Sequence, residues 1–147
     1  MAIGDVTFAN RFKYNLINDY LASVTLKICL VHGVSVDPDT ESCDATFRTA
    51  NECAGTGYTA GGESIAGGSL SITEDDTNDK GNLDITANVT WSSLELTTPA
   101  DATPDYAIIY DTVDDDVMCW IELGKVTNGG DYTVQFNASG LFDLTQA

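Results

Sequence analysis

Over residues 7–20 apolar positions recur at steps of three and four: Phe8, Phe12, Leu16, Ile17 and Tyr20 share a face, while Asn10, Arg11, Asn15 and Asp19 point elsewhere. This spacing predicts an amphipathic helix, with Asp5 or Thr7 as its cap. The apolar face is expected to pack on a sheet, and the alternative is a docking element. Residues 23–32 (Ser-Val-Thr-Leu-Lys-Ile-Cys-Leu-Val-His) are rich in β-branched side chains and predict a strand. A polar stretch, Gly33 to Glu52, follows with a turn at Asp37-Pro38-Asp39.

From residue 63 the pattern changes to alternation. Strands are predicted over 63–73, 82–87, 89–97, 105–112, 116–124, 131–137 and 140–145, divided by turns bearing Asp, Asn, Gly or Pro. Trp91, Tyr106, Ile108, Tyr110, Trp120, Tyr132, Val134 and Phe136 carry the period of two expected of half-buried strands. The fold class is therefore mainly β: one β-sandwich or jelly-roll-like domain of about eight strands with a short N-terminal helix. Residues 1–50 form an N-terminal segment of helix, first strand and loop, and 51–147 the sandwich body.

Length agrees with this picture, since 147 residues make one domain with a real core. Charge adds more. Twenty-three acidic residues against six basic ones give −17. A chain so acidic is poorly suited to phosphates, which argues against nucleic acid and against an anionic membrane as partners. The charge is uneven: residues 1–48 hold four basic and six acidic residues, residues 49–147 two basic and seventeen acidic. Apolar runs are broken by charge or glycine within a few residues, too soon for a membrane span. No basic patch leads into an apolar run at the start, so synthesis in a reducing cytoplasm is expected.

Candidate chemistry is sparse. Cys29 and Cys119 are predicted to be buried in strands. Cys43 and Cys53 share a loop region at a spacing that fits no common zinc pattern; they read first as free thiols, with a disulfide between them as the alternative. His32 ends an apolar strand without a nucleophile motif beside it. The glycines of Gly55-Thr-Gly-Tyr-Thr-Ala-Gly-Gly62 lack the Lys-Ser/Thr of a phosphate loop and read as turns and bulges. Two acidic clusters, Glu74–Asp79 and Asp111–Asp116, are oxygen-rich; the first offers Asp75, Asp76 and Asp79 to a hard cation but lacks the EF-hand register. Solvated turns are the plainer reading of both, and no cofactor is expected. Asn88-Val-Thr and Asn137-Ala-Ser match the glycosylation pattern, which carries no weight without secretion.

Several blocks in order, Gly57-Tyr-Thr-Ala-Gly-Gly62, Asp76-Thr-Asn-Asp79, Val89-Thr-Trp91, Tyr106-Ala-Ile-Ile-Tyr110, Ile121-Glu-Leu-Gly124, Asp131-Tyr-Thr-Val-Gln-Phe136 and Gly140, resemble a family of small β-rich structural proteins of tailed bacteriophages. The resemblance spans residues 51–147. It implies a virion component without catalytic residues. Under it the chain is expected to be a capsid decoration or cement protein that binds the major capsid protein lattice; the near-neutral N-terminal third, which carries most of the cations and the amphipathic helix, is the expected docking surface, through Phe8, Arg11, Phe12 and Lys13. It is expected to self-associate, with a trimer as one form, and to turn its acidic remainder outward. The alternative is a tail- or fibre-associated module that binds host glycans through exposed Tyr and Trp in strand-end loops. Paired carboxylates keep a hydrolase as a third, remote class.

Overall fold

The computed structural model describes residues 9–78, 80–136 and 142–145. In chain order the elements are α1 (Asn10–Ser23), β1 (Leu26–Val31), α2 (Ala45–Asn51), β2 (Ala54–Thr56), β3 (Glu63–Ser64), β4 (Leu70–Asp75) and β5 (Lys80–Ile85). Five strands follow: β6 (Val89–Thr98), β7 (Tyr106–Asp111), β8 (Val117–Glu122), β9 (Gly130–Val134) and β10 (Phe142–Thr145). The chain is mainly β, in antiparallel sheets, as the alternation predicts. Among the described residues no helix is long and apolar enough to cross a membrane. Asp5, Thr7, Phe8, Asp79, Asn137 and Gly140 lie outside the described residues.

Contacts group the chain into two compact units, each discontinuous in sequence. The first joins α1 to a three-stranded sheet in the order β10-β5-β4. Cross-strand pairs Leu70 with Ile85, Ile72 with Leu83 and Glu74 with Gly81 line one face. Leu83 and Ile85 are buried there, as is Ile17 of α1, and burying each such side chain stabilises by about 1.5–3 kcal/mol. Gly81 is where helix and strand come closest. A Cβ at this position would stand 3.1 Å from the Tyr14 nitrogen and 3.2 Å from the Lys13 carbonyl carbon.

The helix turns a different face to its sheet from the one its spacing predicts. Ile17 is buried as expected, but Phe12, Leu16 and Tyr20 are 47%, 49% and 38% exposed. Lys13 is buried instead. The inward stripe runs through Asn10, Lys13, Tyr14, Ile17 and Leu21, which is also a helical face at steps of three and four. The helix is apolar on more than one side, and polar contacts at its N-terminal end select between them. Arg11 pairs with Glu74 at 3.0 Å, and Asn10 Nδ2 donates to Asp76 Oδ1 at 3.1 Å. Lys13 fits inward because its stem is aliphatic while its Nζ donates to Asn10 Oδ1 at 3.3 Å.

The second unit is sandwich-like and holds two sheets, β3-β1-β7-β8 and β2-β6-β9. Strands β1 and β7 are buried on both faces, so their sequences read as continuous apolar runs. Register sorts their side chains: Cys29 lies opposite Ile108 and Lys27 opposite Tyr110 on one face, Ile28 opposite Ile109 and Leu30 opposite Ala107 on the other. The first face is covered by the 33–51 segment through Val34, Val36, Cys43 and Phe47. In the second sheet Trp91, Leu94, Leu96, Tyr132 and Val134 are buried. An irregularity between Trp91 and Leu94 shifts the alternation by one residue, and Ser93 takes a φ of 54° to permit it.

Helix α2 departs from the polar, turn-rich segment expected there. Asp44 caps it by accepting from the Phe47 N–H at 2.7 Å. The predicted strand over 63–73 is likewise divided, β3 and β4 being separated by a 3-10 turn at Gly67–Ser69.

Candidate functional site

Two surfaces bring functional groups together, one in each unit. On the first, the exposed side of α1 presents Phe12, Leu16 and Tyr20 at successive steps of four residues. Arg11 stands beside them, 67% exposed at its side chain, paired with Glu74 and with its guanidinium 5.2 Å from the Tyr14 ring centroid. Of the interface residues expected from the sequence, Arg11 and Phe12 therefore lie on an exposed face. Lys13 does not: its burial removes the ammonium from that surface, a correction that follows from the helix's actual rotation on its sheet.

The second is an open cleft of about 730 Å³, lined by Lys27, Arg48, Glu52, Gly61, Tyr110 and Asp115 among others. Antiparallel pairing of β1 with β7 sets Lys27 beside Tyr110. Helix α2 brings Arg48 over the Tyr110 ring, 5.1 Å from its centroid. Arg48 also donates to the Cys43 carbonyl and to Asp115 Oδ1 at 2.9 Å. One side chain thus ties α2 to the loop before it and to the β7–β8 turn.

Glu52 organises the opposite wall. Its Oε1 accepts from the Tyr58 hydroxyl at 2.8 Å and from the Gly61 N–H at 2.6 Å. Tyr58 in turn accepts from the Leu30 N–H at 3.0 Å, and Tyr110 donates its hydroxyl to the Gly61 carbonyl at 2.8 Å. Burial pushes the Tyr110 hydroxyl up to about 12 against the pull of Arg48. Gly62 closes this loop against β1 with a φ of +73°, and a Cβ there would meet the Ile28 carbonyl oxygen at 2.0 Å. Both of the cleft's carboxylates are committed to internal partners, so the arrangement serves to brace the loops.

The acidic clusters are built as turns. Asp75 accepts from the Thr77 and Asn78 N–H groups, each at 3.0 Å, and from Asn78 Nδ2 at 2.8 Å. The Asn78 side chain and N–H hold its carboxyl below the ordinary range. Asp76 accepts from Asn10. Asp111 accepts from the Val113 and Asp114 N–H groups at 2.9 and 2.8 Å. Among the described residues no three His, Cys, Asp or Glu side chains stand close enough to hold a metal.

The cysteines sit where spacing alone did not suggest. Cys43 lies against Cys29, the two sulfurs 3.5 Å apart in the core. Cys53 donates its N–H to the Leu30 carbonyl and follows the Val31–Glu52 bridge, which puts its side chain on the other face of the sheet from Cys29. Neither tryptophan stands in a strand-end loop: Trp91 is buried in β6, stacked on Tyr58 at 6.3 Å, and Trp120 packs from β8 against the core.

The cleft was not legible in the sequence, because cross-strand register and the presence of α2 assemble it. The one signal for α2 was Asp44 followed by Ala45 and Phe47. No family model, curated protein or solved structure matches this chain.

Proposed function

We propose that this chain is a bacteriophage virion protein that decorates the capsid by binding the major capsid protein lattice through the outer face of α1. The observation that supports this reading most directly is the exposed stripe of Phe12, Leu16 and Tyr20. Three large apolar side chains on one helix face, with an arginine at the margin, have the composition of a binding hot spot. The stripe belongs to the least acidic stretch of the chain. A modest contact of this kind gains strength when many copies occupy a lattice. Self-association about a symmetry axis of the shell, as a trimer, belongs to the same proposal.

The test is decoration of heads that lack the protein. A Phe12→Ser/Leu16→Ser variant should fold, because both side chains are about half exposed, and should bind at least roughly tenfold more weakly by co-sedimentation. Undiminished binding would overturn the assignment of this face. Copy number separates decoration from the alternative of a tail- or fibre-associated glycan-binding module. Hundreds of copies per particle fit a capsid lattice, and a handful fit a tail.

A further inference from the structure

We infer that Cys29 and Cys43 form an oxidisable dithiol site that closes to an intramolecular disulfide, leaving Cys53 and Cys119 as thiols. This inference is independent of the capsid reading and rests on where register places four sulfurs. Cys29 faces the side of β1 that carries Lys27 and Val31, and its cross-strand neighbour is Ile108. Cys43 descends on that same side from the loop before α2, to 3.5 Å from the Cys29 sulfur. Cys53 shares the opposite face with Leu30, and Cys119 pairs across β7–β8 with Ile109, also on that opposite face. The sheet itself therefore separates the two remaining thiols from the pair.

The surroundings favour Cys43 as the first sulfur to react. The Arg48 guanidinium donates to the Cys43 carbonyl, which places a fixed positive charge beside the residue. The hydrogen bond with Cys29 draws the Cys43 thiol below its ordinary value, with Arg48 adding to the effect. The same hydrogen bond and burial push Cys29 up. Cys43 is anchored by loop contacts, its N–H donating to the Asp115 carbonyl at 2.7 Å, whereas Cys29 is held within a central strand. Both sulfurs are fully buried, so reaction with an oxidant requires the 33–44 loop to open.

With a small-molecule disulfide such as oxidised glutathione, the Cys43 thiolate attacks one sulfur of the reagent, forming a mixed disulfide and expelling one glutathione thiolate, which takes up a proton. As the loop recloses, Cys29 gives up its proton and its sulfur attacks the Cys43 sulfur, expelling the second glutathione as thiol. Two protein thiols are oxidised, one glutathione disulfide is reduced to two thiols, and the chain loses two hydrogens. The cross-link ties β1 to the loop that leads into α2, the helix that carries Arg48 on the cleft wall.

The experiment equilibrates the full chain with reduced and oxidised glutathione over a range of ratios, quenches with acid, and alkylates free thiols in denaturant. Intact mass should show two of the four cysteines protected under oxidising ratios, with a loss of about 2 Da relative to the reduced chain. Peptide mapping should join Cys29 to Cys43, and the urea midpoint of the oxidised form should rise. A Cys53→Ser/Cys119→Ser variant should keep the link, while Cys43→Ser should abolish it. Four alkylated cysteines at every ratio would overturn the inference, as would a link through Cys53 or Cys119.

Discussion

Arg48 joins three neighbours in the second unit. It donates to the Cys43 carbonyl and to Asp115, and it covers the Tyr110 ring. Burial in the same unit favours the protonated forms of several groups. Burial pushes Cys53 up to about 12 and Cys119 to about 11, each from 9.0, and Tyr110 from 10.0 to about 12. An unfolded chain releases these protons from about pH 9, and the folded chain keeps them until about 11–12. Where the unfolded state binds fewer protons, stability falls as pH rises. The urea midpoint should therefore decline between about pH 9 and 12. A midpoint that stays level through pH 12 would show that these groups titrate alike folded and unfolded.

At the scale of elements, α1 on its sheet depends on the absence of a side chain at Gly81. Gly81→Ala places a carbon 3.1–3.3 Å from the Lys13 and Tyr14 main chain and the Lys13 Cβ, and the helix has to move. Such overpacking costs about 1–3 kcal/mol, read as a lower urea midpoint. Gly67→Ala is the control, since a Cβ there meets nothing within 4 Å. The strands were readable in advance because alternation survives in β6 and β9, whose patterns switch between buried and exposed. Strand β1 was readable from its β-branched residues and β7 from the alternation of Tyr106, Ile108 and Tyr110, although both strands prove buried on each face. The rotation of α1 was not readable: Phe12-Leu16-Tyr20 and Tyr14-Ile17-Leu21 are equally regular stripes, and only contacts distant in sequence, Arg11 with Glu74 and Asn10 with Asp76, choose between them. The same limit hid the thiol pair. Cys43 is nearer in sequence to Cys53 than to Cys29, yet the pairing of Leu30 with Cys53 sends the Cys53 side chain to the opposite face.

Over the whole molecule, the contact grouping crosses the line that charge drew near residue 50. The unit containing α1 holds three basic and eight acidic residues, the other three basic and fifteen acidic. The less acidic unit is thus the one that carries the exposed apolar stripe, and the contrast in charge follows the units as well as the sequence. The proposed partner has to supply apolar surface to match the exposed Phe12 and Leu16. Electron cryomicroscopy of the intact particle tests this account most directly. It should show the protein in hundreds of copies across the capsid surface, with the Phe12-Leu16-Tyr20 face of α1 against the major capsid protein. A few copies confined to the tail, or capsid contacts made elsewhere with α1 facing solvent, would contradict it.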